Sequence, residues 1–147
     1  MSNGYSQELV NEVNAYSPIV DLIYQLESDR GTNKKAYIEN EYGAKGGYQI
    51  KRDTYKDLQR IHPEKWKHLD FDTVALNDNL SRKAAEDYVR WIEKYYVDRN
   101  ITPSIENILL GYHSGVGNVR KGKIGKQGLE YIRKAHTLMG FDEGRIN

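Results

Sequence analysis

The chain has 147 residues, a length that indicates a single domain over residues 1–147. Hydrophobic residues make up 38% and charged residues 29%, which is typical of a globular chain and excludes a disordered or collagen-like one. The 22 Lys and Arg nearly balance the 21 Asp and Glu, which excludes strong attraction of the whole molecule to nucleic acid. Cys is absent, which excludes disulfides and cysteine nucleophiles.

The N-terminal 20 residues lack the basic and apolar regions of a secretory signal peptide. No run approaches the roughly 18 consecutive apolar residues that would cross a bilayer. We therefore expect a chain that stays in the compartment where it is made and does not insert into a membrane.

The first predicted helix begins at Ser17-Pro18, where an N-cap residue precedes a proline at the first helical position. Apolar residues recur at helical spacing over residues 19–26, so this helix is expected to end at about Ser28. Residues 29–45 show turn chemistry but no apolar period, and we predict a surface loop there.

Glycines at positions 43, 46 and 47 surround the segment Tyr48-Gln49-Ile50, which predicts a tight turn or a small hairpin. A short helix is expected over residues 54–61. It should end near His62-Pro63, because a residue before proline is disfavoured in the helical region.

Apolar positions keep a 3.6-residue period from Asp72 to about Asp98, which predicts one central helix or two helices broken near residues 79–81. Thr102-Pro103 predicts the start of another helix, which Gly115 and Gly117 should end. A last amphipathic helix is expected over residues 128–139. The predicted fold class is therefore mainly α with a small β-hairpin element.

Glu27 is the first candidate for chemistry, because it follows an apolar helix face at the negative end of the helix dipole. Both that position and partial burial would raise its pKa, as a general acid at neutral pH requires. The alternative is a solvated helix-end carboxylate with no function.

Two glycine-rich segments could complete a site. Residues 43–50 could place backbone donors, a ring and an amide against a polar ligand, or simply form a hairpin. Residues 110–119 present Tyr112, which could hydrogen-bond a substrate or the catalytic carboxyl, or only pack on the core. Neither segment matches a dinucleotide-binding or Walker motif.

Three segments follow one another as Glu27-Ser28, Gly43-Ala44-x-Gly46-x-x-Gln49-Ile50 and Tyr112-x-x-Gly115-x-Gly117-Asn118-Val119. In them the chain resembles the lytic transglycosylases of the lysozyme-like superfamily, the soluble-lytic-transglycosylase type related to goose-type lysozyme. That family has a Glu-Ser pair at a helix end, a Gly-Ala-x-Gly-Leu-Met-Gln-Ile loop and an Ala-Tyr-Asn-Ala-Gly-x-Gly-x-Val segment. The resemblance covers about residues 18–134 and implies a lysozyme-like helical domain with a small hairpin beside the active-site cleft.

The resemblance implies that Glu27 is the sole catalytic acid and base. It also implies a set of substrate-binding residues: Ser28, Asn40, Tyr48, Gln49 and Tyr112. Tyr48 stands where the family usually has Met and would offer a ring for sugar stacking, and Asn40 stands where the family often has Ser. The chain departs from the family pattern at three further positions: Gly47, His113 and Ser114.

The activity that the resemblance implies is cleavage of the bond between N-acetylmuramic acid and N-acetylglucosamine in peptidoglycan, with a 1,6-anhydromuramic product. A hydrolytic muramidase on the same fold is the first alternative, and it would use a second carboxylate to hold water. Four acidic residues are candidates for that role: Asp29, Glu39, Glu41 and Asp53. The second alternative is a catalytically silent wall-binding or virion structural protein.

No metal and no cofactor are expected, because the His62-to-His68 segment fits no metal-ligand spacing. The expected partner is the glycan strand of peptidoglycan, with other virion proteins as further candidates and neither nucleic acid nor membrane among them. We expect a monomer in isolation. Without a leader, such an enzyme suggests a phage origin, synthesis in the host cytoplasm and action at the cell wall in the periplasm, in the virion or as an endolysin.

Overall fold

The computed structural model describes residues 3–140, with side chains from Tyr16 onward. The elements follow in the order α1 (Asn3–Ser28), a 3-10 helix (Lys34–Tyr37), β1 (Ala44–Lys45), β2 (Ile50–Lys51), α2 (Arg52–Ile61), α3 (Pro63–Trp66), α4 (Phe71–Leu76), α5 (Asp78–Asp98), α6 (Ile105–Ser114), α7 (Val116–Arg120) and α8 (Gly125–Leu138). The predicted fold class is confirmed, since the described part is mainly helical and carries one small antiparallel hairpin.

The helix α1 runs through Pro18, so the predicted start at Ser17-Pro18 is wrong. The φ of proline, near −65°, is also that of a helix, so the chain can continue through it with the loss of one hydrogen bond. Ser17 does not cap the helix, because it lies inside α1; its Oγ accepts a hydrogen bond from Nη2 of Arg82 at 2.8 Å. The predicted end of the helix at Ser28 is confirmed.

The segment between α1 and the hairpin is more ordered than the predicted surface loop. It contains the 3-10 helix, whose N-cap Asn33 accepts a hydrogen bond from the backbone N–H of Lys35 and whose Ala36 is buried. The predicted hairpin is confirmed, with Ala44 opposite Lys51 in an antiparallel register.

Of the two alternatives for the long helical segment, the structure shows two helices, and the break lies at Asn77, two residues before the expected position. Its side chain accepts a hydrogen bond from the N–H of Leu80 and so caps α5. The start of α6 was predicted wrongly, because Ser104 and not Thr102 is the N-cap. Gly115 ends α6 as expected, whereas Gly117 lies inside the short helix α7.

The core forms around α5, which packs against α1, α2, α4 and α6. The buried apolar side chains of α5 belong to one cluster that also includes residues of the hairpin and α8. Among residues 3–140, no helix combines the length and the hydropathy that a membrane span requires.

Candidate functional site

A cleft of about 480 Å³ opens between the hairpin, the end of α6, α7 and the start of α8. Four separate segments of the chain line it, and the end of α1 supplies Glu27. The charged and polar lining residues are Glu27, Asn40, Tyr42, Gln49, Lys51, Tyr112, His113, Ser114, Asn118 and Gln127. The cleft therefore brings together Glu27, Asn40, Gln49 and Tyr112 from the residues that the sequence indicated.

Glu27 is partly buried at the end of α1. Burial raises the pKa of its carboxyl to about 7, because the charged form loses hydration. A hydrogen bond from Tyr131 and the positive charges of Lys51 and Lys134 act in the opposite direction and limit the rise. The carboxyl can therefore exchange a proton near neutral pH, which suits a group that acts first as an acid and then as a base.

Tyr131 on α8 is the direct partner of the carboxyl, and the sequence did not reveal it. Its Oη donates a hydrogen bond to Oε2 of Glu27 at 2.8 Å. Its ring stacks on the imidazole of His113, with 4.3 Å between the ring centres. The contact fixes the phenol beside Glu27, and burial lowers the pKa of His113, which favours a neutral imidazole there. The helical spacing of Gly128, Tyr131 and Ala135 marks a buried face but not the residue that this face meets.

Tyr112 does not hydrogen-bond Glu27, contrary to one of the expectations. Its Oη donates to the backbone carbonyl of Tyr48 at 2.6 Å and so ties α6 to the hairpin. Burial raises the pKa of this phenol well above its usual value, so it stays protonated and remains a donor. Tyr112 thus shapes the wall of the cleft from a buried position.

Two of the expected substrate-binding residues do not line the cleft. Ser28 is 1% exposed. Its Oγ donates to the carbonyl of Tyr24 and accepts from the N–H of Gly31, so it closes the turn after α1. Tyr48 is 3% exposed, and its ring stacks on that of Tyr24 at 4.6 Å, which leaves no face for a sugar. The structure therefore does not bring these two side chains together with the other expected binding residues.

Gln49 and Asn40 line the cleft, but both also hold the hairpin in shape. Gln49 has a φ of 50°, and its Nε2 donates to the carbonyls of Ala36 and Gly46. Oδ1 of Asn40 accepts hydrogen bonds from the N–H groups of Tyr42 and Ala44, each at 2.9 Å. Nδ2 of Asn40 also donates to Oε1 of Gln49 at 3.5 Å. One N–H of Asn40 and one lone pair on Oε1 of Gln49 remain for a ligand in the cleft.

Tyr42 is the exposed aromatic residue of the cleft, which the sequence analysis missed. Its side chain is 65% exposed and lies among the lining residues. An aromatic ring with a solvent-facing surface can pack on the apolar face of a pyranose. Tyr42 thus supplies an exposed ring to the cleft six residues before Tyr48, on the turn that leads into the hairpin.

Glu27 is the one carboxylate among the described residues that line the cleft. The four acidic residues considered for holding a water, Asp29, Glu39, Glu41 and Asp53, are not part of that lining. Glu39 instead forms an ion pair with Arg52 at 2.6 Å. Any acid–base step by a carboxyl in this cleft would thus depend on Glu27 alone.

The described residues contain no group of three or more His, Asp or Glu placed to hold a metal ion. Comparison with known proteins gave no match, whether to family models, to curated proteins or to solved structures.

Proposed function

We propose that this chain cleaves the β-1,4 bond between N-acetylmuramic acid and N-acetylglucosamine in the glycan strands of bacterial peptidoglycan, without consuming water. The observation that carries the proposal is the carboxyl of Glu27, with a pKa of about 7, in a cleft of about 480 Å³. A polar cleft edged by an exposed tyrosine and amide side chains suits a sugar polymer.

The reaction needs one group that gives a proton and takes one back. Protonated Glu27 donates its proton to the glycosidic oxygen while the bond from that oxygen to C1 of the muramic residue breaks, through an oxocarbenium-like transition state. The 6-hydroxyl of the same muramic residue then attacks C1, and its proton passes to the Glu27 carboxylate. The products are a 1,6-anhydromuramic end and a free 4-hydroxyl on N-acetylglucosamine, and Glu27 is protonated again.

The number of carboxylates in the cleft favours this route over hydrolysis. Glycosidases that use water commonly place two carboxyl groups on either side of the scissile bond. Here Glu27 has no carboxylate partner among the described lining residues. An internal hydroxyl nucleophile needs no second carboxylate to activate a water molecule.

The proposal is tested by mass spectrometry of the fragments released from purified peptidoglycan in water labelled with ¹⁸O. We expect unlabelled 1,6-anhydromuramic ends from the wild type. Glu27→Gln should release at least about 100-fold fewer fragments, since a positioned acid–base group contributes about 10²–10⁴-fold to the rate. Glu41→Gln is the matched control, because Glu41 is an exposed glutamate outside the cleft lining, and it should act like the wild type.

Each contrary result has a distinct meaning. Labelled reducing ends would replace the transglycosylase by a hydrolytic muramidase. Equal release by the wild type and Glu27→Gln would refute the role of Glu27. Binding to wall sacculi without release of any fragment would favour a silent wall-binding protein.

A further inference from the structure

A second cavity, of about 200 Å³, lies between α2, α5 and the start of α7. Its walls include the aromatic rings of Tyr88 and Trp91, the exposed edge of Ile61 and the polar side chains of Thr54 and Asp57. The Trp91 side chain is 37% exposed, whereas Trp66, the other tryptophan, is 2% exposed in the core. The cavity therefore presents an accessible indole to solvent.

This cavity adjoins the cleft that contains Glu27. A narrow void of about 10 Å³ lies between them, room for about one water molecule. Lys51 and Tyr112 line both this void and the cleft, while Thr54 and Tyr88 line both the void and the second cavity. The two cavities thus border the same void, and Nζ of Lys51, which lines that void, donates to the carbonyl of His113 at 3.4 Å.

Trp91 belongs to a row of aromatic rings that holds the indole in place. The ring centres of Tyr88 and Trp91 are 6.1 Å apart with 21° between the planes, and those of Trp91 and Tyr95 are 5.4 Å apart. The guanidinium of Arg99 lies 3.7 Å from the ring centre of Tyr95 at the far end of the row. A ring fixed on both sides loses little conformational freedom when a ligand packs against it.

The polar groups at this cavity suit a sugar. Asp57 and Arg60 are both largely exposed and lie 3.4 Å apart, so they offer an acceptor and a donor at the rim. A pyranose ring presents an apolar face of C–H groups and an edge of hydroxyls, which matches an indole bordered by charged groups. The volume is below the roughly 300–1,000 Å³ of a pocket for a drug-sized ligand, which suits one sugar residue of a longer strand.

We infer that Trp91 and its surrounding cavity form a distal binding site for the same glycan strand that is cut at Glu27. The inference rests on the proposed function, because the strand would have to occupy the cleft and continue past Lys51 to reach Trp91. It predicts that affinity increases with the length of the strand, and that Trp91 supplies part of this increase.

The test measures binding by calorimetry, with β-1,4-linked N-acetylglucosamine oligomers from the disaccharide to the hexasaccharide as probes. The Glu27→Gln protein is used as the background, so that the probes are not cut. Adding Trp91→Ala should weaken hexasaccharide binding about ten-fold and reduce the difference in affinity between hexasaccharide and disaccharide. Adding Val97→Ala, an exposed apolar residue on the same helix outside the cavity, should change neither affinity.

A second readout uses the fluorescence of the Glu27→Gln protein, in which Trp91 is the exposed tryptophan. We expect the hexasaccharide to shift the emission to shorter wavelength, and the disaccharide to leave it unchanged. Circular dichroism and the melting temperature of Trp91→Ala show whether the variant is folded, and the fluorescence result does not depend on that variant.

The outcomes separate this inference from the proposed function. Equal hexasaccharide affinity in the Trp91→Ala and Val97→Ala proteins, together with unchanged fluorescence, overturns the distal site even if the wild type cuts peptidoglycan. Length-dependent binding at Trp91 in a protein whose wild type releases no fragments supports the distal site and refutes the proposed function.

Discussion

The protonation of Glu27 depends on one phenol as well as on burial. The hydrogen bond from Tyr131 stabilises the carboxylate and lowers its pKa, whereas burial raises the pKa to about 7. Tyr131→Phe removes the donor and keeps the ring that stacks on His113. Since the acid must be protonated to act, we expect the alkaline limb of the pH–rate profile to move to higher pH in this variant.

The measurement is the rate of peptidoglycan solubilisation from about pH 5 to about pH 9. This range is centred on the pKa of Glu27, which is about 7. Tyr16→Phe is the control, because Tyr16 on α1 donates a hydrogen bond to Glu93 and lines neither the cleft nor the second cavity, and its alkaline limb should match that of the wild type. A limb that stays in place or moves to lower pH in Tyr131→Phe would contradict the assigned role of the phenol.

The sequence located part of this site and misplaced the rest for a clear reason. Glu27 was found because a carboxylate at the end of an apolar helix face is unusual. The motifs gave positions along the chain but not the direction of side chains, so Tyr48 was assigned to the cleft although its ring packs on Tyr24. Tyr131 lies 104 positions from Glu27, and no local pattern can reveal a contact over that separation.

At the scale of elements, the position of the hairpin depends on Gly46. Its φ is 93°, and a Cβ at this position would lie 1.9 Å from the carbonyl oxygen of Ala75 in α4. The hairpin therefore contacts α4 through bare backbone. Gly46→Ala should destabilise the protein by about 2–4 kcal/mol, since both the backbone strain and the steric overlap oppose folding.

Urea unfolding followed by circular dichroism checks this expectation. Gly122→Ala is the matched control, because Gly122 has a φ of 71° but a Cβ there would meet no atom within 4 Å. It should cost only about 1–2 kcal/mol from the left-handed backbone. An equal decrease in the free energy of unfolding in the two variants would show that the close approach to Ala75 has no effect of its own on stability.

The helices could be predicted where the apolar period was long, and their limits were wrong where tertiary contacts decide them. The period identified α5 but left open whether one helix or two cover the segment, and the cap Asn77 lies two residues from the expected break. The short helices α3 and α7 have four and five residues, too few for a period to be recognised. Ser17 looked like a cap because a Ser-Pro pair is typical of a helix start, whereas α1 continues through both residues.

At the scale of the whole molecule, the carboxyl that serves the proposed chemistry is expected to reduce stability at alkaline pH. The pKa of Glu27 rises from 4.5, the value of an unperturbed glutamate, to about 7 in the folded chain, so the fold favours the neutral form. The stabilisation from the neutral carboxyl is complete below about pH 4.5 and is lost as the pH rises through about 7. Above that range, the protein must bury a charge that the unfolded chain keeps in water.

Glu27→Gln should therefore be about as stable as the wild type at pH 4.5 and more stable by about 1–3 kcal/mol at pH 8.5, because the amide stays neutral at both values. Urea unfolding of both proteins at these two pH values measures the difference. Glu41→Gln should show no such dependence, since Glu41 is exposed. If Glu27→Gln were instead less stable than the wild type at pH 8.5, the ionised carboxylate would be stabilised by its surroundings. Tyr131, Lys51 and Lys134 would then outweigh burial, and Glu27 would be an anion in the folded protein at neutral pH rather than an acid.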